Sequence, residues 1–319
     1  MRNYIIKRVL LFIPTILGVS VFVFGALRVL PGDVAELILT GGDPDVVVTE
    51  DMKEELRRET GLDKPIHIQY LDWVWGVMRF DLGNSWNTDR PITRNLKRQL
   101  PVTLQLAVAS LTLVVIIAIP IGILAALYQD RWPDYILRGT AVLASAMPGF
   151  FAGILIVLIL AVGFGWLPPL RFYNLWDRPW DSMTQLFFPA TALGLLGTAT
   201  LLRMTRAQML EVLREDYVRT ARAKGLSERL VITRHSMRNA LIPVVTVIGF
   251  QVAVLLGGTV VIEVIFSLPG MGEQLVRAVL LRDFPIVQTY VLYLVFISLL
   301  VNLIVDISYA WLDPRIRYG

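Results

Sequence analysis

The chain contains no cysteine and only two histidines, His67 and His235, among its 319 residues. Without cysteine it can form neither a disulfide nor a thiolate metal site, and the redox state of its compartment stays open. Two histidines so far apart in the sequence do not predict a histidine-rich metal centre. These absences exclude several classes of metalloprotein and thiol enzyme.

Several motifs of soluble catalysts are absent as well. The sequence has no Gly-x-x-x-x-Gly-Lys-Ser/Thr loop, so it offers no phosphate cradle of that type for a nucleotide. It has no His-Glu-x-x-His or Gly-x-Ser-x-Gly motif, and no histidine within its apolar runs, which disfavours an enzyme embedded in a membrane. It shows no internal repeat, low-complexity tract or nucleic-acid signature.

Long apolar runs are what the chain does have. Apolar residues make up 55% of it, whereas soluble domains have about 45–50%. A helix needs roughly 20 apolar residues to cross a bilayer, and only a helix satisfies the backbone there. We therefore predict an all-α polytopic membrane protein with about six transmembrane helices. The predicted spans are Val9–Val29, Val102–Tyr128, Ile136–Trp166, Ser182–Leu202, Asn239–Ile262 and Phe284–Val305.

Basic residues are placed unevenly, and this predicts orientation. They cluster in the first eight residues, in Arg203–Arg238, and at Arg315 and Arg317. Because short cytoplasmic segments carry an excess of Lys and Arg, we expect both termini and Arg203–Arg238 to be cytoplasmic. The long segment 31–100 then lies outside the membrane on the opposite side.

Three regions follow from this topology. Residues 1–30 form the first span, residues 31–100 an extracytoplasmic cap, and residues 101–319 the core, with a cytoplasmic loop at 203–240. The apolar run of the first region is too long for the core of a cleaved leader, so we expect it to stay as a span.

The cap carries signals for short helices. Thr49 followed by two acids predicts a helix start, and Gly61 predicts its end. Pro65–Trp75 is amphipathic and aromatic, and Leu82–Trp86 is typical of a turn. We predict a small helical cap; a solvated loop is the alternative.

The basic segment Arg203–Arg238 is predicted to be helical and amphipathic. Its apolar face consists of Met209, Val212, Leu213, Tyr217 and Thr220. Gly225 predicts a left-handed helix end. A second helical stretch, Ser227–Asn239, leads to Pro243 near the start of the fifth span, and proline is well tolerated in a first helical turn. From the residues alone, this segment either lies on anionic lipid or projects as a docking element for a partner.

Proline and glycine interrupt the third span. Met147, Pro148 and Phe150 are candidates for a gate in a translocation path, because a broken helix next to a cavity can move. The alternative is close helix packing through Gly149 and Gly153, which are four residues apart.

Three polar residues fall within or near predicted spans. Gln251 lies deepest and is a further candidate for a path, although hydrogen bonding between helices is the favoured role. Glu263 and Asp306 fall near span ends, where pairing or solvation at the interface explains them.

The basic segment carries a family resemblance. Asp216–Leu226, followed by His235 and Arg238–Val245, resembles the signature loop of permease subunits in the dipeptide, oligopeptide and nickel branch of ATP-binding-cassette importers. Val34 departs from the pattern, since a second proline is usual there. Further similar segments are Tyr4–Arg8, Leu30–Asp33, Thr60–Pro65, Phe80–Ser85, Val261–Gly272, Arg282–Pro285 and Asp313–Arg317. The large outer loop after the first span resembles the B-type subunit of this branch.

The resemblance implies a type I importer permease fold and a coupling role for the basic segment. The ATPase-coupling residues that it implies are Asp216, Tyr217, Arg219, Thr220, Ala221, Lys224, Gly225, His235 and Arg238. No catalytic or metal-binding residue is implied, and no cofactor is expected on this chain. ATP and Mg²⁺ would be bound by partner ATPase subunits.

The same resemblance implies partners and location. It implies a heterodimer with a sister permease, two cytoplasmic ATP-binding subunits and an extracytoplasmic substrate-binding protein, in the bacterial inner membrane. Di- or oligopeptides are the expected substrates, and glutathione, nickel chelates and sugars are alternatives. A secondary transporter is the alternative of a different class, although its ion sites would need polar residues at the middle of the spans.

Overall fold

The computed structural model describes residues 2–29, 33–40, 46–169 and 171–312. Within these ranges the chain is helical, and its one extended pairing is an isolated bridge between Asn84 and Pro91. The helices are α1 Arg2–Arg28, α2 Val34–Thr40, α3 Glu50–Thr60, α4 Ile66–Met78, α5 Ile92–Leu127, α6 Trp132–Ala146, α7 Gly149–Phe164, α8 Pro179–Leu213, α9 Asp216–Ala223, α10 Glu228–Leu230, α11 Met237–Ile265, α12 Met271–Leu280 and α13 Phe284–Leu312. A π-helical segment, Val231–Ser236, joins α10 to α11.

The predicted spans correspond to long apolar helices. Among the described residues, five helices are long and apolar enough to cross a membrane, and the pair α6–α7 makes a sixth if it counts as one broken span. The five stretches are Arg8–Arg28, Ile92–Leu127, Pro179–Leu213, Glu228–Ile265 and Phe284–Val305. The prediction of an all-α chain with about six spans is confirmed.

The break in the third span falls where proline and glycine predicted it. Helices α6 and α7 meet at an angle of 103° across Met147 and Pro148. Both residues have extended backbone, with ψ of 122° and 137°, so the helical hydrogen bonds cannot continue through them. The sequence prediction of one interrupted span over Ile136–Trp166 therefore becomes two helices with a sharp bend.

Backbone contacts divide the chain into two compact units. Among the described residues, one comprises Leu104–Leu268 with residues 300–312, and the other comprises Arg2–Thr103 with Pro269–Leu299. In the first unit α8 packs against α6, α7 and α11. A β-carbon on Gly122 of α5 would lie 2.8 Å from the Leu202 carbonyl oxygen of α8, so only glycine permits this close approach.

The second unit holds the cap helices and has its own core. Ser85 donates a buried hydrogen bond to Asp283, and Thr103 Oγ1 accepts one of 2.9 Å from the Met271 backbone. These bonds tie loops and helix ends that are far apart in the sequence. The buried core residues are Leu82, Ile92, Leu96, Met271, Ala278, Ile286, Val287 and Tyr290.

The predicted cap helix has the expected ends. The Thr49 side chain accepts a hydrogen bond of 3.4 Å from the Met52 backbone at the start of α3. Gly61 ends α3 with φ of +69°, in the left-handed region. The aromatic stretch that follows forms α4, and the turn predicted near Leu82–Trp86 lies at residues 86–88.

Two local predictions were wrong. The amphipathic helix through Arg203–Lys224 is interrupted at Arg214 and Glu215, so Met209 and Tyr217 do not share one helical face. Pro243 lies inside α11 rather than in a first turn, because the helix begins at Met237 and is preceded by the π-helical segment. Leu30–Asp33 in part, Asp313–Arg317 and the side chains of Val34 and Asp306 lie outside the described residues.

Candidate functional site

Helix α9 is a short helix that directly follows the long helix α8. Helix α8 ends at Leu213, and Glu215 then turns the chain with an extended backbone at ψ of 145°. The eight residues of α9 follow, and Lys224 closes them. The chain thus leaves α8 and re-enters α11 through a compact excursion.

The inner face of α9 is apolar and fixed. Val218 and Ala221, three residues apart, are buried and pack with Val231. Val212 of α8 and Leu226 cover the same cluster. Burial of these side chains holds α9 against both the outgoing and the returning helix.

The outer face of α9 is polar and open. Asp216 and Arg219 have 95% and 70% of their side chains exposed, and a hydrogen bond of 3.3 Å joins them. Thr220, Ala223 and Lys224 are exposed as well. This face therefore carries charge of both signs, which suits contacts with a complementary charged surface.

Tyr217 ties α9 to the returning helix. Its hydroxyl accepts a hydrogen bond of 2.8 Å from Asn239 Nδ2 and lies 3.4 Å from the His235 carbonyl oxygen, to which it donates. His235 itself is half-buried within the π-helical segment, and Arg238 is exposed at the start of α11. π-Helical turns occur often at functional positions, but no sequence signal predicted this one.

Gly225 forms the turn after α9, as predicted. Its φ is +77°, and its backbone N–H donates to the Arg222 carbonyl oxygen at 2.9 Å. A β-carbon there would meet nothing within 4 Å, so conformation and not space selects glycine. Across the turn Arg222 donates two hydrogen bonds to Glu228, of 2.7 and 3.1 Å. Hydrogen bonding to this carboxylate raises the pKa of the Arg222 guanidinium above its ordinary value.

Two arginines of α8 bind α6, and the sequence did not single them out. Arg206 donates two hydrogen bonds, of 2.7 and 2.6 Å, to Asp134, whose side chain is completely buried. Arg203 donates to Ser145 Oγ at 3.0 Å and to the Ala141 carbonyl oxygen at 3.4 Å. The sequence does show an acid, Asp134, just before the third predicted span and a base, Arg206, just after the fourth. That the two side chains pair can be seen only in the folded chain.

The candidate path residues do not form one cluster. Met147 and Pro148 occupy the break between α6 and α7, and Phe150 is 52% exposed at the start of α7. Gln251 is buried in α11, and its Nε2 donates to the Gly197 carbonyl oxygen of α8 at 3.3 Å. That contact fits the packing role which the sequence favoured for Gln251.

Of the two glycines proposed for close helix packing in the third span, Gly149 and Gly153, only Gly153 makes such a contact among the described residues. A β-carbon on Gly153 would lie 3.2 Å from Ile262 Cδ1, so α7 packs closely on α11 there. Gly149 has nothing within 4 Å of the corresponding position. The described residues contain no group of His, Cys, Asp and Glu side chains arranged to hold a metal.

Sequence comparison decides the family. The family model described as "Binding-protein-dependent transport system inner membrane component" matches residues 118–318. The family model for the N-terminal part of the same membrane component matches residues 1–107. The chain belongs to this family. It is therefore a multi-pass inner-membrane permease subunit, and such systems work with an ATPase and a substrate-binding protein.

Similar proteins align with this permease over its whole length. A Brucella abortus (strain 2308) protein, named as a peptide transport system permease protein, is 41% identical over 319 residues and covers 100% of both chains. Glutathione transport system permease protein GsiC of Salmonella choleraesuis (strain SC-B67) is 40% identical over 318 residues, again with 100% of both chains covered.

A solved structure supports the fold. The permease matches the crystal structure of an amino acid ABC transporter with histidines, at a TM-score of 0.53 and 16% identity. The match covers 68% of this chain and 94% of the other. Together with the family match, this makes the chain the permease subunit of an ABC importer with a type I importer permease fold.

The anchoring of α9 by Tyr217 can be tested alone. We expect Tyr217→Phe to lower the free energy of local opening of α9 by about 1 kcal/mol, because two hydrogen bonds are lost from a partly exposed hydroxyl. Hydrogen exchange of the α9 amides should become roughly fivefold faster. Tyr128→Phe is the control, since that hydroxyl has no partner among the described residues. Unchanged α9 exchange in Tyr217→Phe would show that the hydroxyl does not hold the helix.

Proposed function

We propose that this permease forms half of the translocation path of an ATP-driven importer of peptides. A sister permease supplies the other half, two cytoplasmic ATPases supply the energy, and an extracytoplasmic binding protein delivers the substrate. The observation that carries the proposal is the fixed, polar-faced α9 between α8 and α11, in a chain whose family is binding-protein-dependent.

Helix α9 is the proposed contact with an ATPase. The residues offered to the partner are the exposed ones, chiefly Asp216, Arg219, Thr220 and Lys224. Ala221 and Tyr217 hold α9 in place through burial and hydrogen bonds. Gly225 forms the turn after α9, and His235 lies in the π-helical segment to which Tyr217 bonds. Arg238 extends the exposed basic surface.

Movement of α9 would reach the spans through α8 and α11. When ATP closes the two ATPases, α9 of this permease and the corresponding helix of the sister permease would move toward each other. The helices packed against them would then shift as rigid bodies. Helix α6 would follow α8 through Arg203 and Arg206, and it ends beside Met147 and Pro148. The broken span with Phe150 is the proposed gate, and Gln251 stiffens the α8–α11 contact.

Chemistry remains with the partners in this proposal. The permease binds no cofactor, and ATP with Mg²⁺ is held and hydrolysed on the ATPase subunits. The absence of a phosphate-binding loop from the sequence supports this division.

Peptides, with glutathione among them, are the proposed substrate class. Two relatives of almost equal identity are named for peptide and for glutathione transport, and both cover the whole chain. The complete complex in proteoliposomes, supplied with its binding protein and ATP, should take up labelled di- and tripeptides or glutathione. Uptake of a nickel chelate or a sugar, with no peptide transported, would contradict the class.

The natural absence of cysteine makes the proposed topology testable. We expect an impermeant maleimide, added outside spheroplasts, to label Arg58→Cys of α3 and not Arg219→Cys of α9. Both arginine side chains are well exposed, at 75% and 70%, which makes them a matched pair. Arg219→Cys should react only after permeabilisation, and binding of the ATPase should protect it.

The opposite labelling would overturn the topology. If Arg219→Cys reacts from outside in intact cells, α9 cannot meet a cytoplasmic ATPase. If it reacts inside at the same rate with and without the ATPase bound, α9 is not the contact.

A further inference from the structure

A polar cavity lies beside the end of α1. Its volume is about 430 Å³, and all of its lining residues belong to the unit that contains the cap helices. Phe24, Trp73 and Trp86 contribute aromatic walls, and Arg28 and Gln288 contribute polar ones. Helix α1 is long and apolar enough to cross a membrane and ends at Arg28. We therefore infer that the cavity lies at the level where hydrocarbon gives way to headgroups.

Arg28 is a half-buried cation with no carboxylate partner among the described residues. Its Nε and Nη2 donate to Gln69 Oε1 at 3.3 and 2.8 Å, and its Nη1 donates to the Phe24 carbonyl oxygen at 3.2 Å. A guanidinium carries five N–H donors and three are used here, so two remain for a ligand.

The position of Arg28 is set in advance by its neighbours. Gln69 Nε2 donates to the backbone carbonyls of Leu62 and Lys64, at 3.2 and 2.8 Å, and this turns the amide oxygen toward Arg28. The guanidinium carbon lies 3.4 Å from the centroid of the Phe24 ring, which supports it from one face. A ligand would therefore meet an ordered cation rather than a free side chain.

Gln288 is the second polar side chain that a ligand would meet in the cavity. Its side chain lines the cavity and is only 6% exposed, yet its amide has no hydrogen-bond partner among the described residues. The amide is open to the cavity, so its oxygen can accept from a ligand that enters it and its nitrogen can donate to one. The enclosed indole N–H of Trp73 also has no partner within the described part of the chain.

The charge and the surroundings define the ligand. Three basic side chains, Arg28, Arg58 and Lys64, and two acidic ones, Glu59 and Asp72, line the cavity, so its lining has a net charge of +1 and favours an anion. Lys64 and Asp72 pair at 2.7 Å. Phosphate is a preferred partner of an arginine fork. Leu17 and Val21 precede Phe24 and Arg28 on the same side of α1 and are 48% and 55% exposed, which gives an apolar surface that suits acyl chains.

We propose that this cavity binds the phosphate of a phospholipid headgroup, held by Arg28 and Gln288, with the acyl chains along α1. Basic pockets beside membrane helices bind lipid headgroups by the same physics. The role is separate from substrate transport and would fix α1 to the cap helices in the bilayer.

Lipid binding to the complete importer tests this site. The purified complex in detergent is titrated with dihexanoyl phosphatidylglycerol, and in parallel with inorganic phosphate and with a dihexanoyl glycerol that lacks phosphate. We expect saturable binding of the phospholipid alone, weakened roughly tenfold by Arg28→Gln and also reduced by Gln288→Leu. Arg79→Gln is the matched control, because Arg79 is an exposed arginine that stacks on Trp75 and does not line the cavity.

Three results would overturn the proposal. One is equal phospholipid affinity in the wild type and Arg28→Gln. Another is inorganic phosphate binding as tightly as the phospholipid, which would indicate a site for a free anion. The third is displacement of the phospholipid by a substrate peptide, which would indicate a substrate site. Should Arg28→Gln fail to assemble, Gln288→Leu alone decides, since leucine keeps a similar shape and removes the amide.

Discussion

Gly225→Pro is expected to reduce ATP-driven uptake by at least about tenfold in proteoliposomes that contain every subunit. Proline fixes φ near −65°, whereas Gly225 has φ of +77°. The replacement also removes the N–H that donates to the Arg222 carbonyl oxygen at 2.9 Å. The turn would re-form differently, and α9 would no longer present its polar face in the same direction. ATPase activity measured in the same vesicles should lose its dependence on substrate-loaded binding protein.

Gly225→Asn separates conformation from side-chain size. Asparagine tolerates the left-handed region better than other residues, and no atom lies within 4 Å of the new β-carbon. We expect this variant to keep most of its uptake. If Gly225→Pro showed normal uptake and normal ATPase association, α9 would not be the coupling element.

Local signals in the sequence were sufficient for some parts of the fold. The start of α3 at Thr49 and its end at Gly61 follow from side-chain capping and from the left-handed preference of glycine. The break at Pro148 and the turn at Gly225 likewise depend on one residue each. In all of these the physical cause lies within a few residues, so it can be read from the sequence.

Other parts of the site depend on contacts between distant segments. The end of α8 at Leu213 has neither proline nor glycine nearby, and burial of Val218 and Ala221 against Val231 accounts for it. The π-helical turn at His235 has no local signal either. Tertiary packing overrides helical periodicity here, which explains why a single continuous helix was predicted.

The bond between Asp134 and Arg206 also joins distant segments, and it leads to the second large effect. Asp134 is completely buried, and it accepts a third hydrogen bond, of 3.1 Å, from the Asp130 backbone. The pair fixes the start of α6 to the part of α8 that leads to α9. A carboxylate in such a place is tolerable only while its arginine is present.

Arg206→Met is therefore expected to destabilise the permease by about 3–5 kcal/mol, because it leaves a buried charge without a partner. The apparent melting temperature of the purified complex, followed by intrinsic fluorescence, should fall by roughly 5–10 °C. Uptake should fall as well, since α6 would no longer follow α8. Arg138→Met is the control: Arg138 lies 4.0 Å from the same carboxylate but is 48% exposed, so its loss should cost less than about 1 kcal/mol.

A double variant distinguishes the buried charge from a general loss of packing. Asp134→Asn combined with Arg206→Met removes both charges, while the asparagine oxygen can still accept from the Asp130 backbone. Replacing both members of a buried pair by neutral groups is often harmless, so most of the lost melting temperature should return. Uptake should recover less than stability, because the neutral pair no longer joins α6 to α8. If the double variant were as unstable as Arg206→Met, the buried carboxylate would not be the cause of the defect.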